Sequence, residues 1–193
     1  MTFPERSAER DAALDALLAT TPFEGWTVAA LRRAAGPDAD LLFPGGATDM
    51  VEAYCDLADR RMEADGAVEG RLPDRVRAVI ARRLELGRPH KEAIRRGLAV
   101  LAAHPATAAR CTARTVDAIW HASGDRSADF SWYTKRAILS GVYGSTLLFW
   151  LGDDGEDDAA TLAFLDRRLA AVGRIGRWRR KGSDLAQRCR RTA

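Results

Sequence analysis

The sequence predicts an all-α protein, and three observations carry that prediction. Val/Ile-rich alternating runs are absent, so no stretch offers the period-two pattern of a half-buried strand. Apolar residues recur instead at helical spacing, as in Leu14, Leu17 and Leu18, or Leu162, Leu165, Leu169 and Val172. Glycine and proline punctuate these runs at intervals that suit helices of ordinary length. The composition, 47% hydrophobic and 30% charged over 193 residues, fits a globular chain with one well-formed core.

The first helix is expected over Ser7 to Thr20, with Ser7 as cap and a break at Pro22 and Gly25. Thr27 caps a short helix, VAALRRAA, closed by Gly36-Pro37. After a DADLLF segment and the turn Pro44 to Gly46, a long helix follows. Thr48 or Asp49 caps it, and Met50, Val51, Tyr54, Leu57, Ala58 and Met62 share one face. A loop runs over Asp65-Gly66 and Gly70 to Pro73. The segment Asp74 to Leu86 turns Val76, Val79, Ile80 and Leu84 inward and Arg75, Arg82 and Arg83 outward. Helices over Glu92 to Ala103 and Ala106 to Ser123 come next. An acidic turn, Gly152 to Asp158, feeds a last helix capped by Asp157 or Asp158.

Several function classes find no support. The three histidines, His90, His104 and His121, lack partners at ligand spacing, so no metal site and no cofactor are expected. P-loop, dinucleotide-binding and nucleophile-elbow patterns are missing, so no catalytic residue is assigned and the chain is not read as an enzyme. Cys55, Cys111 and Cys189 are odd in number and far apart, which suggests reduced thiols in a cytoplasmic protein. The start, MTFPERSAERD, has no apolar core of a secretory signal. The apolar run Ala137 to Leu151 is short for a membrane span and is dotted with Ser, Thr and Gly.

The net charge of +3 hides an asymmetry. Residues Arg167 to Ala193 carry ten Lys or Arg and one acid, Asp184, while residues 1–166 carry 20 basic and 26 acidic side chains. A basic tail seeks an anionic surface or is a solvated terminus. Within it Arg177, Trp178, Arg179, Arg180 and Lys181 form a cationic cluster around an indole, the composition of an interfacial membrane contact.

Two segments resemble known families. TVAALRRAAG, Phe43 and the MVEAY start of the next helix resemble the N-terminal helix-turn-helix of TetR-type regulators, over roughly the first 60 residues. The resemblance implies a TetR-like helical bundle and, as the rival reading, a ligand-responsive transcription regulator. The segment in the recognition position, Pro37 to Leu42, speaks against nucleic acid: it offers Asp38 and Asp40 and no cation, and carboxylates repel a polyanion. The helix-turn-helix is therefore read as degenerate.

The second resemblance is denser. TVDAIW, DFSWYTKRA and FLDRR, within Arg114 to Leu169, are similar to the C-terminal domain of the COQ9 family of ubiquinone-biosynthesis accessory proteins. The stretch Phe43 to Met62 is also similar to that family. The resemblance implies a non-enzymatic, peripherally membrane-associated homodimer. It would hold a lipid or isoprenoid quinone precursor in its core and present it to a pathway hydroxylase. The expected organisation is a helix-turn-helix-like part at 1–62, a lipid-binding helical core at 63–172 with the COQ9-like domain at 114–169, and a basic tail at 173–193.

Helical geometry divides the roles within DFSWYTKR. Asp129 is placed as N-cap, serving the helix or a partner. At about 100° per residue, with Trp132 at 0°, Ile138, Val142 and Phe149 fall at about 240–280° and Leu139 and Tyr143 at about 340° and 20°, so Trp132 sits at the edge of the probable core arc, and Tyr133 lies on another arc with Ser140 and Gly144. Lys135 and Arg136 oppose the macrodipole by about 0.3–1 kcal/mol each, so an outside reason for them is sought. With the family resemblance, Asp129, Trp132, Tyr133, Lys135 and Arg136 form a candidate partner-docking patch, since Trp, Tyr and Arg dominate interface hot spots. Gly141 and Gly144 either admit a neighbouring helix or leave space for a ligand. The candidate lipid-binding residues are Val79, Leu98, Val116, Ile119, Trp120, Leu139, Val142, Tyr143 and Leu147.

Overall fold

The computed structural model describes residues 3–66, 68–124, 132–155 and 157–172, with only the backbone described at Trp132. These residues form helices joined by short turns, and no strand occurs among them, as the periodicity predicts. The chain divides into two units, Met1–Arg136 and Ala137–Ala193.

In the first unit, α1 (Ala8–Leu18) begins where its cap predicts, with the Ser7 hydroxyl accepting the Arg10 N–H at 3.2 Å. The expected break at Pro22 is instead the first turn of a short helix, α2 (Thr21–Glu24). Proline is tolerated there because the amide it lacks has no intrahelical partner. The next helix, α3 (Val28–Ala35), is capped by Thr27, whose hydroxyl accepts the Ala30 N–H at 3.1 Å. Gly36 then leaves the helix at φ +108°, a conformation that glycine adopts without strain. DADLLF contributes a single 3₁₀ turn, Ala39–Leu42.

The long helix α4 (Gly46–Ala64) starts before its expected cap, so Thr48 and Asp49 lie in its first turn. Asp49 has another duty there. It accepts a 2.9 Å bond from Arg10 Nη2, while Arg10 also donates to the Leu42 carbonyl and lies over the Phe43 ring. Buried Arg10 thus ties α1, the 3₁₀ turn and α4 together. Helix α5 (Leu72–Gly87) takes Pro73 into its first turn rather than leaving it in the loop. Val76, Val79, Ile80 and Leu84 point inward as expected, but Arg83 does too. A 3₁₀ turn (Arg88–His90) leads to α6 (Lys91–Ala102) and then α7 (Pro105–Ala122).

The core of this unit packs α1, α3, α4 and α6 through Leu14, Leu17, Leu31, Phe43, Met50, Val51, Leu57, Ala93 and Leu101. Trp26 closes it: its indole N–H donates to the Ala93 carbonyl at 2.9 Å and its ring lies 5.4 Å from Tyr54. Gly97 makes room for that indole, since a Cβ there would fall 3.3 Å from the Trp26 nitrogen and 3.5 Å from Val51.

Helices α4 and α7 meet along a polar seam. Glu52 takes Arg110 at 3.0 Å and Arg114 at 2.8 Å, Asp59 takes the Thr115 hydroxyl at 2.8 Å, and Glu63 meets His121 at 3.1 Å. Residue numbers rise together along both partners, so the two helices run in the same direction and α5 and α6 form the crossover between them.

The second unit contains α8 (Trp132–Leu151) from Ala137 onward, and α9, residues 159–172. Of the two expected caps, Asp157 serves, accepting the Ala159 N–H at 3.1 Å. Asp158 is buried at φ +52°, and its carboxylate receives the Trp150 indole N–H at 3.2 Å. Asp153 accepts both the amide and the hydroxyl of Thr161, at 3.1 and 2.6 Å. Phe149 stacks on Phe164 at 4.5 Å. The acidic turn is therefore an internal clasp between α8 and α9.

Candidate functional site

The residues expected to form a docking patch fall at the first turn of α8. Tyr133 is 79% exposed, as its arc predicts. Lys135 is partly exposed. Arg136 is ion-paired with Asp117 of α7 within the first unit, with its side chain 25% exposed. The cation at the wrong end of a helix therefore has an ion-pair partner inside the chain. Asp129 lies outside the described residues, as does the side chain of Trp132.

Further along α8, Leu139, Val142, Tyr143 and Trp150 are buried and Leu147 is partly buried. The opposite face carries Ala137, Ile138, Gly141, Leu148 and Phe149, all exposed, with Leu148 at 66%. The expected core arc is thus split: Leu139, Val142 and Tyr143 are buried, while Ile138 and Phe149 are exposed, and the buried arc centres on Leu139, Thr146 and Trp150. A helix apolar all round gives periodicity nothing to choose between. A Cβ on Gly141 or Gly144 would meet no atom within 4 Å, so neither glycine is there to admit a neighbouring backbone.

The other candidate lipid residues belong to the first unit. Val79, Val116 and Ile119 are fully buried, and Leu98 is partly buried against the core cluster. Trp120 is partly buried, with its indole nitrogen covered and without a hydrogen-bond partner. A cavity of about 260 Å³, lined by Asp56, Asp59, Arg60 and Glu63 of α4 and Arg114 and Asp117 of α7, opens beneath Phe3 and Arg6. Its charges are engaged within the chain: Asp56 takes Arg6 at 2.6 Å and Arg60 at 3.1 Å, and Arg60 also grips Asp11 at 2.7 Å. Sequence reasoning missed this cluster because Arg6 and Asp11 come to Asp56 and Arg60 of α4 from 50 and 49 residues away.

The helix-turn-helix region has lost its reading surface. The recognition position holds one 3₁₀ turn, with Leu41 77% exposed on it. Arg32 makes a two-pronged pair with Asp40 at 2.9 and 2.6 Å, and Arg33 pairs with Glu24. The cations nearest that surface are met by carboxylates of the same surface. The Arg177 to Lys181 cluster lies outside the described residues. Among the described residues no helix is long and apolar enough to cross a membrane, and no three His, Cys, Asp or Glu side chains gather as a metal site.

Comparison with known proteins places these features. Residues 105–176 match the COQ9 family model. The chain is 30% identical over 182 residues to the rat protein named "Ubiquinone biosynthesis protein COQ9, mitochondrial", covering 84% of this chain and 58% of the rat one. It is 34% identical to the Drosophila melanogaster protein of the same name, covering 81% of this chain and 52% of that one. A Xenopus laevis relative, "Ubiquinone biosynthesis protein COQ9-A, mitochondrial", is 46% identical over 61 residues, 32% of this chain and 19% of that one. The chain thus spans a little over half the length of the rat and fly relatives. Among solved structures it resembles a TetR transcriptional regulator from Nitrosomonas europaea, with a TM-score of 0.69, 23% identity, and coverage of 86% of this chain and 99% of the regulator. The all-helical fold is TetR-like.

Proposed function

Residues 105–176 belong to the COQ9 family, and from that premise we propose that the chain is a lipid-binding accessory protein of ubiquinone biosynthesis rather than an enzyme. It holds an isoprenoid or quinone intermediate and presents it to a membrane-associated hydroxylase. The observation that carries the lipid half of this reading is α8. An almost wholly apolar helix exposes Ile138, Leu148 and Phe149 beside the bare backbone of Gly141, in the part of the chain that the family covers. Large apolar side chains left exposed along one face of a helix offer contacts to a lipid. Leu139, Val142, Tyr143 and Leu147 supply further apolar contacts on the same helix. Val79, Leu98, Val116, Ile119 and Trp120 remain candidates in the first unit, where a ligand requires that interior to loosen.

Docking is assigned to Tyr133, Lys135 and Arg136, with Asp129 and Trp132 completing the patch. The Arg177 to Lys181 cluster provides the peripheral contact with anionic membrane, at about 1 kcal/mol per cation near the surface. The protein works as a homodimer in this reading.

Native mass spectrometry of gently purified protein tests the proposal. A bound lipid of isoprenoid mass is expected, and a lipid-free protein in every preparation overturns it. Transcription regulation is disfavoured by the Arg32–Asp40 and Arg33–Glu24 pairs and by the lost recognition helix. A salt-sensitive, sequence-specific gel shift would reverse that judgement.

A further inference from the structure

Cys55 and Cys111 are far apart in sequence, and the fold sets them side by side. Cys55 is on α4 and Cys111 on α7, one turn before the Asp59–Thr115 rung of the seam. Both are free thiols, Cys55 partly open to solvent and Cys111 in the core. With both helices running in one direction, that step puts the two thiols on facing positions of the seam, Cys111 within the apolar core cluster and Cys55 packed against it. Arg114, one turn beyond, aims Nη2 at the Cys111 sulfur from 3.6 Å while Glu52 holds the same nitrogen at 2.8 Å. The neighbouring Cys55 thiol and a fixed guanidinium both favour thiolate, so the Cys111 thiol is held below its ordinary range. The neighbouring Cys111 and desolvation push the Cys55 thiol well up. A thiol beside a fixed guanidinium, with a second thiol facing it across the seam, is the arrangement of an attacking and a resolving cysteine.

We propose that Cys55 and Cys111 form a reversible disulfide across the α4–α7 seam, with a hydroperoxide such as hydrogen peroxide as oxidant. The Cys111 thiolate attacks a peroxide oxygen. The S–O bond forms, the O–O bond breaks, and the departing hydroxide takes a proton to become water. The Cys55 sulfur then attacks the Cys111 sulfenic sulfur. The S–S bond forms, the S–O bond breaks, and the second hydroxide leaves as water with the Cys55 proton. The two thiols give up two electrons, which the peroxide accepts. Exchange with a small-molecule thiol reverses the bond. This site does not depend on the lipid-binding reading.

The test uses the full chain carrying Cys189→Ser, so that the third cysteine contributes no thiol. The protein is treated with hydrogen peroxide, quenched with N-ethylmaleimide and digested without reductant. Peptide mass spectrometry should find the Cys55 and Cys111 peptides joined, and dithiothreitol should separate them. Closing so long a loop should raise Tm by roughly 5–15 °C. Cys111→Ala leaves a hole in the core, so Cys55→Ala serves as the control: it should give no cross-link, and its Tm should not rise with peroxide. Recovery of both cysteines as maleimide adducts, or their oxidation to sulfinic acids without a cross-link, overturns the proposal. A Tm rise that persists in Cys55→Ala overturns it too.

Discussion

Arg83 of α5 reaches the α4–α7 seam and donates its Nε–H to Asp59 at 3.1 Å, with the two side chains 8% and 7% exposed. Removing one partner of such a pair leaves a charge that water cannot reach, which costs about 3 kcal/mol. Arg83→Ala should therefore lower Tm by about 6–12 °C. Arg71→Ala, whose side chain pairs with Asp74 in the open, should change it by about 1 °C. Calorimetry of the two variants side by side checks the contrast.

The same pair carries a pH signature. Burial pushes the Asp59 carboxyl from its ordinary 3.8 up to about 6, despite Arg83 and Thr115. The folded state then holds the proton more tightly than the unfolded chain, so this group's contribution to stability falls as pH rises from about 4 to about 6 and is level above. Asp59→Asn cannot titrate. Its stability relative to the parent should shift in the variant's favour across that window and hold constant above pH 7. Urea titrations at several pH values give the difference directly, and a difference that is flat across the window contradicts the assignment.

Two glycines in helix interiors should respond oppositely to alanine. At Gly97 the new methyl meets an indole fixed by its bond to Ala93, so an overpacking cost of about 1–3 kcal/mol outweighs the helix-propensity gain of about 1 kcal/mol. At Gly141 the methyl enters open space and the propensity gain remains, about 0.5–1 kcal/mol. Denaturant unfolding should show Gly97→Ala less stable than the parent and Gly141→Ala more stable.

Tyr133→Ala removes a ring that the fold leaves 79% exposed. Tm should stay within about 1 °C, while affinity for the pathway hydroxylase should fall about tenfold or more. Calorimetric titration of parent and variant with that enzyme measures it. Unchanged affinity would remove Tyr133 from the docking patch.

The sequence made the helices legible because caps and breakers are local. Ser7 and Thr27 accept the amides three residues on, and Gly36 turns the chain where it was expected to. Tyr133 was legible for a related reason, since its neighbours on the helix differ enough in size to reveal its face. Arg83 and Arg10 were not, because a buried arginine looks like a surface one until its carboxylate arrives from another element. Asp59 and Asp49 lie 24 and 39 residues away from them. Cys55 and Cys111 escaped a search by spacing for the same reason. On α8, Ile138 and Phe149 were misplaced because apolar residues surround the helix.

The side-by-side course of α4 and α7 also bears on how the protein folds. Its rungs join residues 56 to 62 positions apart, so none can form until the α5–α6 crossover has closed a long loop. Contacts within α1 to α3 close over far shorter separations and face a smaller entropic barrier. On refolding, amide protection should therefore come early in the N-terminal helices and late, as one cooperative step, along Glu52, Asp59 and Glu63. The last part of the first unit to assemble is then the part that holds Asp59, Arg83 and Arg114 among its buried charges.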